Sequence, residues 1–274
     1  MSVNAAKLIV PHWYGSGDER IARGCRALEQ ATQLSGMTCV VPVRAPAESV
    51  RSIRRYEQVL QSLSAIRKAI EALSPSAVFT LGGDCGIEVP ILSYLSRLYG
   101  DRFGVVWIDA HADANTPQTS PSGYFHGMPV RCLCGEGDEH LCATAFAHLE
   151  PEAFVYFGTR DLDPGEQDWI ATNGVPVANT AIELVQQLRM RGRSIVAIHL
   201  DLDVLDPAAF GHVSYPTPHG RSVGEIAAAL QAISNGFSIV GATIAECTAA
   251  AGVELQPIEP LLRWWVETSG VQCR

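Results

Sequence analysis

Two short segments of the chain carry donor side chains at alternate positions. In WIDAHADAN these are Asp109, His111 and Asp113; in HLDLDVLDP they are Asp201 and Asp203, with His199 two residues before the first. If an extended backbone runs through either segment, alternate side chains fall on one side, and each segment aims its donors at one point. Both follow strongly apolar runs, and a carboxylate at the buried end of a strand is costly unless something positive meets it. No Lys or Arg stands close in sequence to either run, so divalent cations are the natural partner. Carboxylates with an imidazole suit Mn²⁺, and several carboxylates side by side imply two ions with bridging oxygens. The competing explanation is that each Asp caps a helix or shapes a turn. It suits a lone DxD, and it suits Asp206 before Pro207, but it accounts poorly for DxHxD and DxD that both end apolar strands.

Positioning such donors requires strands that stop together. Short runs rich in Val, Ile and Phe alternate with longer amphipathic stretches, the pattern of a parallel sheet covered by helices on both faces. The runs predict strands at 8–12, 38–43, 77–82, 103–109, 154–158, 175–178, 194–201 and 239–246. Helices are predicted at 19–34, 50–73, 87–99, 182–191, 223–234 and 257–267. With no linker, repeat or shift in composition, the expectation is a single α/β domain over residues 1–274: three layers, with an eight-stranded, mostly parallel sheet flanked by helices. In such sheets ligands bind outside the carboxyl ends of the strands. LGGDCG, WIDAHADAN, HLDLDVLDP and IAEC all fall there.

Composition excludes several alternatives. With 274 residues, 47% of them hydrophobic and 18% charged, the chain can bury a full core, which excludes a disordered or fibrous class. Apolar runs reach only strand length, and the first residues lack the features of a secretory signal, so the expected setting is cytoplasmic, without membrane. Twenty basic against 29 acidic residues give a net charge of −9, the wrong sign for gripping nucleic acid. Eight cysteines in a chain of this size are expected as free thiols. CLCGEGDEHLC places Cys132, Cys134, His140 and Cys142 close together, but its CxC opening lacks the usual zinc knuckle, and a loop with buried thiols is the plainer expectation.

The segments resemble the ureohydrolases, the family that includes arginase, agmatinase and formiminoglutamase, and the resemblance runs through nearly the whole chain. Family members carry GGDH, DAHxD, SxDxDxxDP and a late Glu on one eight-stranded parallel sheet; this chain has LGGDCG, DAHAD, HLDLDVLDP and Glu246. The resemblance implies two Mn²⁺ ions bridged by Asp109 and Asp201, with Asp113 completing the first site, His111 and Asp203 the second, and a hydroxide between the ions as nucleophile. Position 85 would be the first site's remaining ligand. The stretch NTPQTSPSGYFHG is similar to arginase rather than agmatinase. By that likeness Asn115, Ser120 and Ser122 hold a substrate α-carboxylate, and His126 shuttles the proton to the leaving amine. Asp163, in GTRDLDPGE, meets an α-amino group, and Glu246 accepts hydrogen bonds from the guanidino-type group. Read from residues alone, His126 is an ordinary loop histidine; the competing account of Glu246 is an edge-of-sheet carboxylate paired with a nearby Arg. The implied partner is a small guanidino amino acid; a homo-oligomer is left open, since no interface signature is legible.

The main departure from the family is Cys85, where the family has His. A thiolate adds a negative, soft ligand, which makes bound water a weaker acid and lowers affinity for hard Mn²⁺. The alternatives are a thiol that does not ligate, or a scaffold that has lost catalysis. A Cys here resembles one branch of the family, amidinohydrolases acting on Nω-hydroxy-L-arginine in D-cycloserine biosynthesis, which implies release of L-ornithine and hydroxyurea. An ordinary arginase is the alternative. SYPTP (Ser214 to Pro218) in place of TGTP, and Tyr124 in place of Asn, point to an altered pocket. His199, where the family has Ser, is either a group orienting Asp201 or a buried polar residue.

Overall fold

A computed structural model describes residues 4–33, 37–38 and 45–270. Strands β1 (Ala5–Ile9), β2 (Met37–Thr38), β3 (Ala77–Leu81), β4 (Phe103–Ile108), β5 (Phe154–Phe157), β6 (Val177–Ala178), β7 (Ile195–Asp201) and β8 (Ser238–Ala245) join in one sheet. Their order is β2-β1-β3-β8-β7-β4-β5-β6, and every pairing is parallel. β3, β4 and β7 are buried along their whole length, which is why their sequences read as unbroken apolar runs rather than alternations.

The helices are α1 (Arg20–Thr32), α2 (Tyr56–Leu73), α3 (Glu88–Tyr99), α4 (Pro129–Leu133), α5 (Glu139–Cys142), α6 (Pro164–Asn173), α7 (Ala181–Met190), α8 (Val223–Gly236) and α9 (Glu259–Thr268). They flank the sheet in two packed groups: α1 against α9, α9 against α8 and α8 against α7; α2 against α3 and α3 against α4. Local chemistry sets their ends. Ser222 and Glu225 close a reciprocal cap on α8, the Glu225 backbone N–H donating to Ser222 Oγ and the Ser222 N–H to Glu225 Oε2. Trp265 of α9 is fully buried, and its indole N–H donates to the Ala242 carbonyl of β8 over 2.9 Å, fixing that helix on the sheet. Among the described residues no helix is long and apolar enough to cross a membrane.

Three expectations need correction, and part of a fourth is not tested. The strand expected at 103–109 ends at Ile108, so the DAHAD donors lie on a loop and do not share a strand face. The helix expected from residue 50 starts at Tyr56, after a stretch in which Arg51, Ser52 and Arg55 have positive φ. Helices α4, α5 and α6 were not foreseen; α6 buries only Glu166 and Trp169, so it had no apolar stripe to read. Residues 39–43 of the strand expected at 38–43 lie outside the described residues.

Candidate metal centre

The four strands at the middle of the sheet, β3, β8, β7 and β4, end beside one another, and each hands its donors to the same crevice. After β3, Gly82 and Gly83 turn the chain with φ of +82° and +86°, values a side chain rarely allows. Asp84 then accepts from the backbone N–H groups of Gly15 (2.8 Å) and Gly86 (3.0 Å), which sets the direction of Cys85. After β4, the backbone N–H of His111 donates to Asp109 Oδ1 over 2.6 Å, and Asp113 closes the loop at φ +51°. β7 ends on Asp201, whose Oδ1 accepts from the Asp203 N–H over 2.8 Å. Directly after β8, Glu246 stands at φ +58° with its N–H donating to Gly83 O over 2.9 Å. Left-handed backbone at non-glycine residues costs about 1–3 kcal/mol each, and here it falls on two donor residues.

The donors form three overlapping groups, the ligand atoms of each lying within 4.8 Å of one another: Cys85 with Asp109, Asp113 and His199; Cys85 with Asp201 and Glu246; Asp109 with His111 and Asp203. Thus all six residues expected as ligands meet, and His199 joins them. His111 Nδ1 lies 3.0 Å from Asp203 Oδ2 and 3.4 Å from Asp109 Oδ1. Cys85 Sγ lies 3.0 Å from Asp201 Oδ2 and 3.8 Å from Glu246 Oε1. Among the described residues no Lys or Arg pairs with any of these carboxylates; the imidazoles of His111 and His126 lie against them instead. Asp113 Oδ2, Glu246 Oε2 and His199 Nε2 are buried without a hydrogen-bond partner. A crowd of buried oxygens with orphaned lone pairs fits divalent cations, and hard ones by the dominance of carboxylate.

Protonation records the same crowding. Burial, followed by the charge of neighbouring carboxylates, pushes Asp113 and Asp201 well above the usual carboxylate range. Asp203 rises to about 6 through burial and Asp109, partly offset by His111. Burial also lifts the Cys85 thiol, helped by Asp113, Asp201 and Glu246. Burial disfavours charge on His111, but the hydrogen bonds and charges of Asp109 and Asp203 outweigh it and raise the imidazole. His126 is raised likewise, burial being outweighed by Glu246, whose Oε1 lies 3.3 Å from His126 Nδ1.

Beside the donors opens a cavity of about 240 Å³ lined by His111, Asp113, Asn115, Ser120, Ser122, His126, Asp161, Asp163, Glu166 and Tyr215, among others. Asn115, Ser120, Ser122, His126 and Asp163 thus all line it, whereas Glu246 does not and reaches it only through His126, its Oε1 3.3 Å from His126 Nδ1. Asn115 Nδ2 donates to Asp163 Oδ2 over 2.9 Å, joining the expected carboxylate and amino contacts. Glu246 is only 2% exposed just past the end of the central strand β8, and its side chain meets His126 and Cys85, which rules out an edge carboxylate paired with Arg.

Sequence reasoning missed several supporting residues. Glu166, expected nowhere, accepts from the backbone N–H groups of Ala114 (3.0 Å) and Asp163 (2.9 Å), tying the DAHAD loop to the start of α6. Arg160 donates to the carbonyls of Gly158, Asp203, Val204, Thr217 and Pro218, pinning three loops without touching a carboxylate. Tyr215, by contrast, belongs to the SYPTP segment already singled out, and it faces His126, ring centroids 4.9 Å apart. The T-R-D-x-D-P-G-E string was the available signal for Arg160 and Glu166. Asp206 shapes its loop as expected, accepting from the Ala208 and Gly220 N–H groups. The free thiols of Cys132 and Cys142 share a hydrogen bond, and among the described residues they form no ligand set with Cys134 and His140.

Fold and site define an α/β protein with a carboxylate-rich candidate metal centre at the carboxyl edge of a parallel sheet. The chain belongs to the arginase family, whose model matches residues 19–254. It is 32% identical to the N(omega)-hydroxy-L-arginine amidinohydrolase of Streptomyces lavendulae over 239 residues, 86% of this chain and 84% of that one. It is 34% identical to an arginase of Staphylococcus aureus over 170 residues, and that match spans 57% of this chain and 56% of the arginase. The solved arginase of Entamoeba histolytica, in complex with L-ornithine, has the same fold, with a TM-score of 0.85 at 23% identity over 99% of this chain and 100% of that one.

Proposed function

We propose that the chain, acting as one domain over residues 1–274, is a metal-dependent amidinohydrolase that converts Nω-hydroxy-L-arginine and water to L-ornithine and hydroxyurea. The observation that carries this reading is the position of Cys85: its sulfur sits inside the donor cluster, shared between two of the ligand groups, where a harder ligand would serve the more basic guanidine of arginine. N-hydroxylation makes a guanidine less basic and more readily attacked, so a less acidifying centre suffices. The likeness to the Streptomyces lavendulae amidinohydrolase supports the same substrate.

Asp109 and Asp201 would be shared between two Mn²⁺ ions, with Asp113 and Cys85 completing one site and His111 and Asp203 the other. When bound, the ions supply Lewis acidity and a nucleophile from water at neutral pH. Asn115, Ser120 and Ser122 hold the substrate α-carboxylate, and Asp163 holds the α-amino group. Glu246 orients the N–H groups of the hydroxyguanidine. His126, kept charged by Glu246 at Nδ1, delivers a proton to the departing ornithine nitrogen. Hydroxyurea then leaves for use in antibiotic assembly, as in D-cycloserine biosynthesis.

The test is ornithine release by Mn²⁺-loaded protein offered Nω-hydroxy-L-arginine and L-arginine in parallel. Preference for the hydroxylated substrate is expected. Equal or better use of L-arginine would make the protein an arginase with an unusual ligand, and no ornithine from either would leave a metal-binding scaffold without this catalysis.

A further inference from the structure

His199 is a residue without a task in the scheme above. It lies on β7 two positions before Asp201, so its ring faces the same crevice, and it is fully buried. Its Nδ1–H donates to Glu88 Oε1 over 2.9 Å, and Glu88, at the start of α3, is itself fully buried. That hydrogen bond fixes the tautomer and leaves the Nε2 lone pair facing the site. Nε2 has no hydrogen-bond partner and stands 3.8 Å from Asp109 Oδ2, too far for a hydrogen bond and near enough for two lone pairs to repel. Trp107 holds the ring in this pose: it stacks on His199 with centroids 3.9 Å apart, and its indole N–H donates to the same Asp109 Oδ2 over 3.1 Å.

The ligand atoms of Cys85, Asp109, Asp113 and His199 lie within 4.8 Å of one another. Donors bonded to one ion at about 2.0–2.3 Å are at most about 4.6 Å apart, so this group needs only a slight contraction to share an ion. A carboxylate donating direction to an imidazole whose other nitrogen binds metal is a recurrent arrangement, and Glu88–His199 supplies both members. We propose that His199 Nε2 is a ligand of the ion held by Cys85, Asp109 and Asp113. The imidazole that the family takes from the position of Cys85 is thereby delivered from β7 instead, and Glu88 is its positioning residue. The thiol then adds to a neutral nitrogen donor rather than replacing it. This inference rests on the two-ion reading of the site.

The experiment uses Cd²⁺ as probe, with cadmium-113 NMR on the whole protein carrying nitrogen-15 histidine. His111 turns Nδ1 toward its carboxylates, whereas His199 presents Nε2, so a one-bond coupling between cadmium and an Nε2 nitrogen is the signature of His199. The expected result is that coupling, on the cadmium resonance shifted by the Cys85 sulfur. Bound cadmium coupled only to an Nδ1 nitrogen would overturn the role of His199 and leave the two-ion site standing. Failure of the protein to retain cadmium or Mn²⁺ at all would overturn both. As a second measurement, the paired substitution Glu88→Ala with His199→Ser, which removes both partners and strands no buried charge, should weaken retention of one Mn²⁺ equivalent by about 10-fold or more. Unchanged retention of both equivalents would count against the proposal.

Discussion

Cys85 Sγ and Asp201 Oδ2 lie 3.0 Å apart, close enough that the thiol donates to the carboxylate when no cation stands between them. The contact joins β3 to β7 across β8 and puts the family's altered ligand position directly on a carboxylate expected to be shared by both ions. Replacing Cys85 by His should raise Mn²⁺ affinity and move preference toward L-arginine, read by metal titration and by the ratio of kcat/KM for the two substrates. Unchanged affinity and ratio would make the thiol a spectator.

Asp201→Asn should remove Mn²⁺ retention and activity while leaving the metal-free fold intact. The fold already disfavours charge on this carboxyl, burial and neighbouring carboxylates holding its proton, so a neutral amide of the same shape suits the metal-free state. Metal analysis after dialysis, with melting curves before and after loading, checks this: the melting temperature without metal should stay within a few degrees, and the metal-induced rise should vanish.

His126→Asn should lower kcat by roughly 10²–10⁴-fold, the usual worth of a positioned proton donor, with metal content unchanged. The wild-type profile should lose activity as pH rises through the His126 pKa, which Glu246 holds above its ordinary value despite burial. Activity at wild-type level in the variant would remove His126 from the scheme.

Asp163→Asn tests the amino-group contact. Asn still accepts from Asn115 and still suits the residue before a helix, but it loses the charge that a substrate ammonium needs. KM should rise about 10-fold or more with little change in melting temperature; an unchanged KM would assign Asp163 to α6 alone.

The metal-free protein should lose stability as pH rises from about 5 to about 8. Burial lifts Asp203 to about 6 and Asp84 and Glu166 to about 7 in the folded state, so the fold binds more protons than the unfolded chain across this window. His111 and His126 are raised as well and act in the same sense above their ordinary value of 6.5. Asp109 is lowered, and its contribution is lost only below the ordinary carboxylate range, outside this window. Metal binding displaces the trapped protons, so the rise in melting temperature on adding Mn²⁺ should grow with pH. A metal-free melting temperature that increases over the window would contradict the crowding of the site.

The local sequence determined the strand cores and the identity of the donors. AVFTL, FGVVWI and IVAIHLD are continuous apolar runs because these strands are buried on both faces, and that property is written residue by residue. The family motifs carried Asp109, His111, Asp113, Asp201, Asp203, His126 and Glu246 to positions that do converge. Tertiary structure decided how they converge. Alternation in DAHAD would aim its donors together only if the strand ran on past Asp109, whereas they meet through a loop with Asp113 in the left-handed region, a conformation that only its surroundings hold in place. His199 is an ambiguous buried polar residue in sequence; it becomes a candidate ligand because β7 lies between β4 and β8 and brings its ring to Trp107, Glu88 and Asp109. Periodicity reports which face of an element is buried, but which elements lie side by side depends on contacts between distant parts of the chain, and those contacts exist only once the sheet has formed.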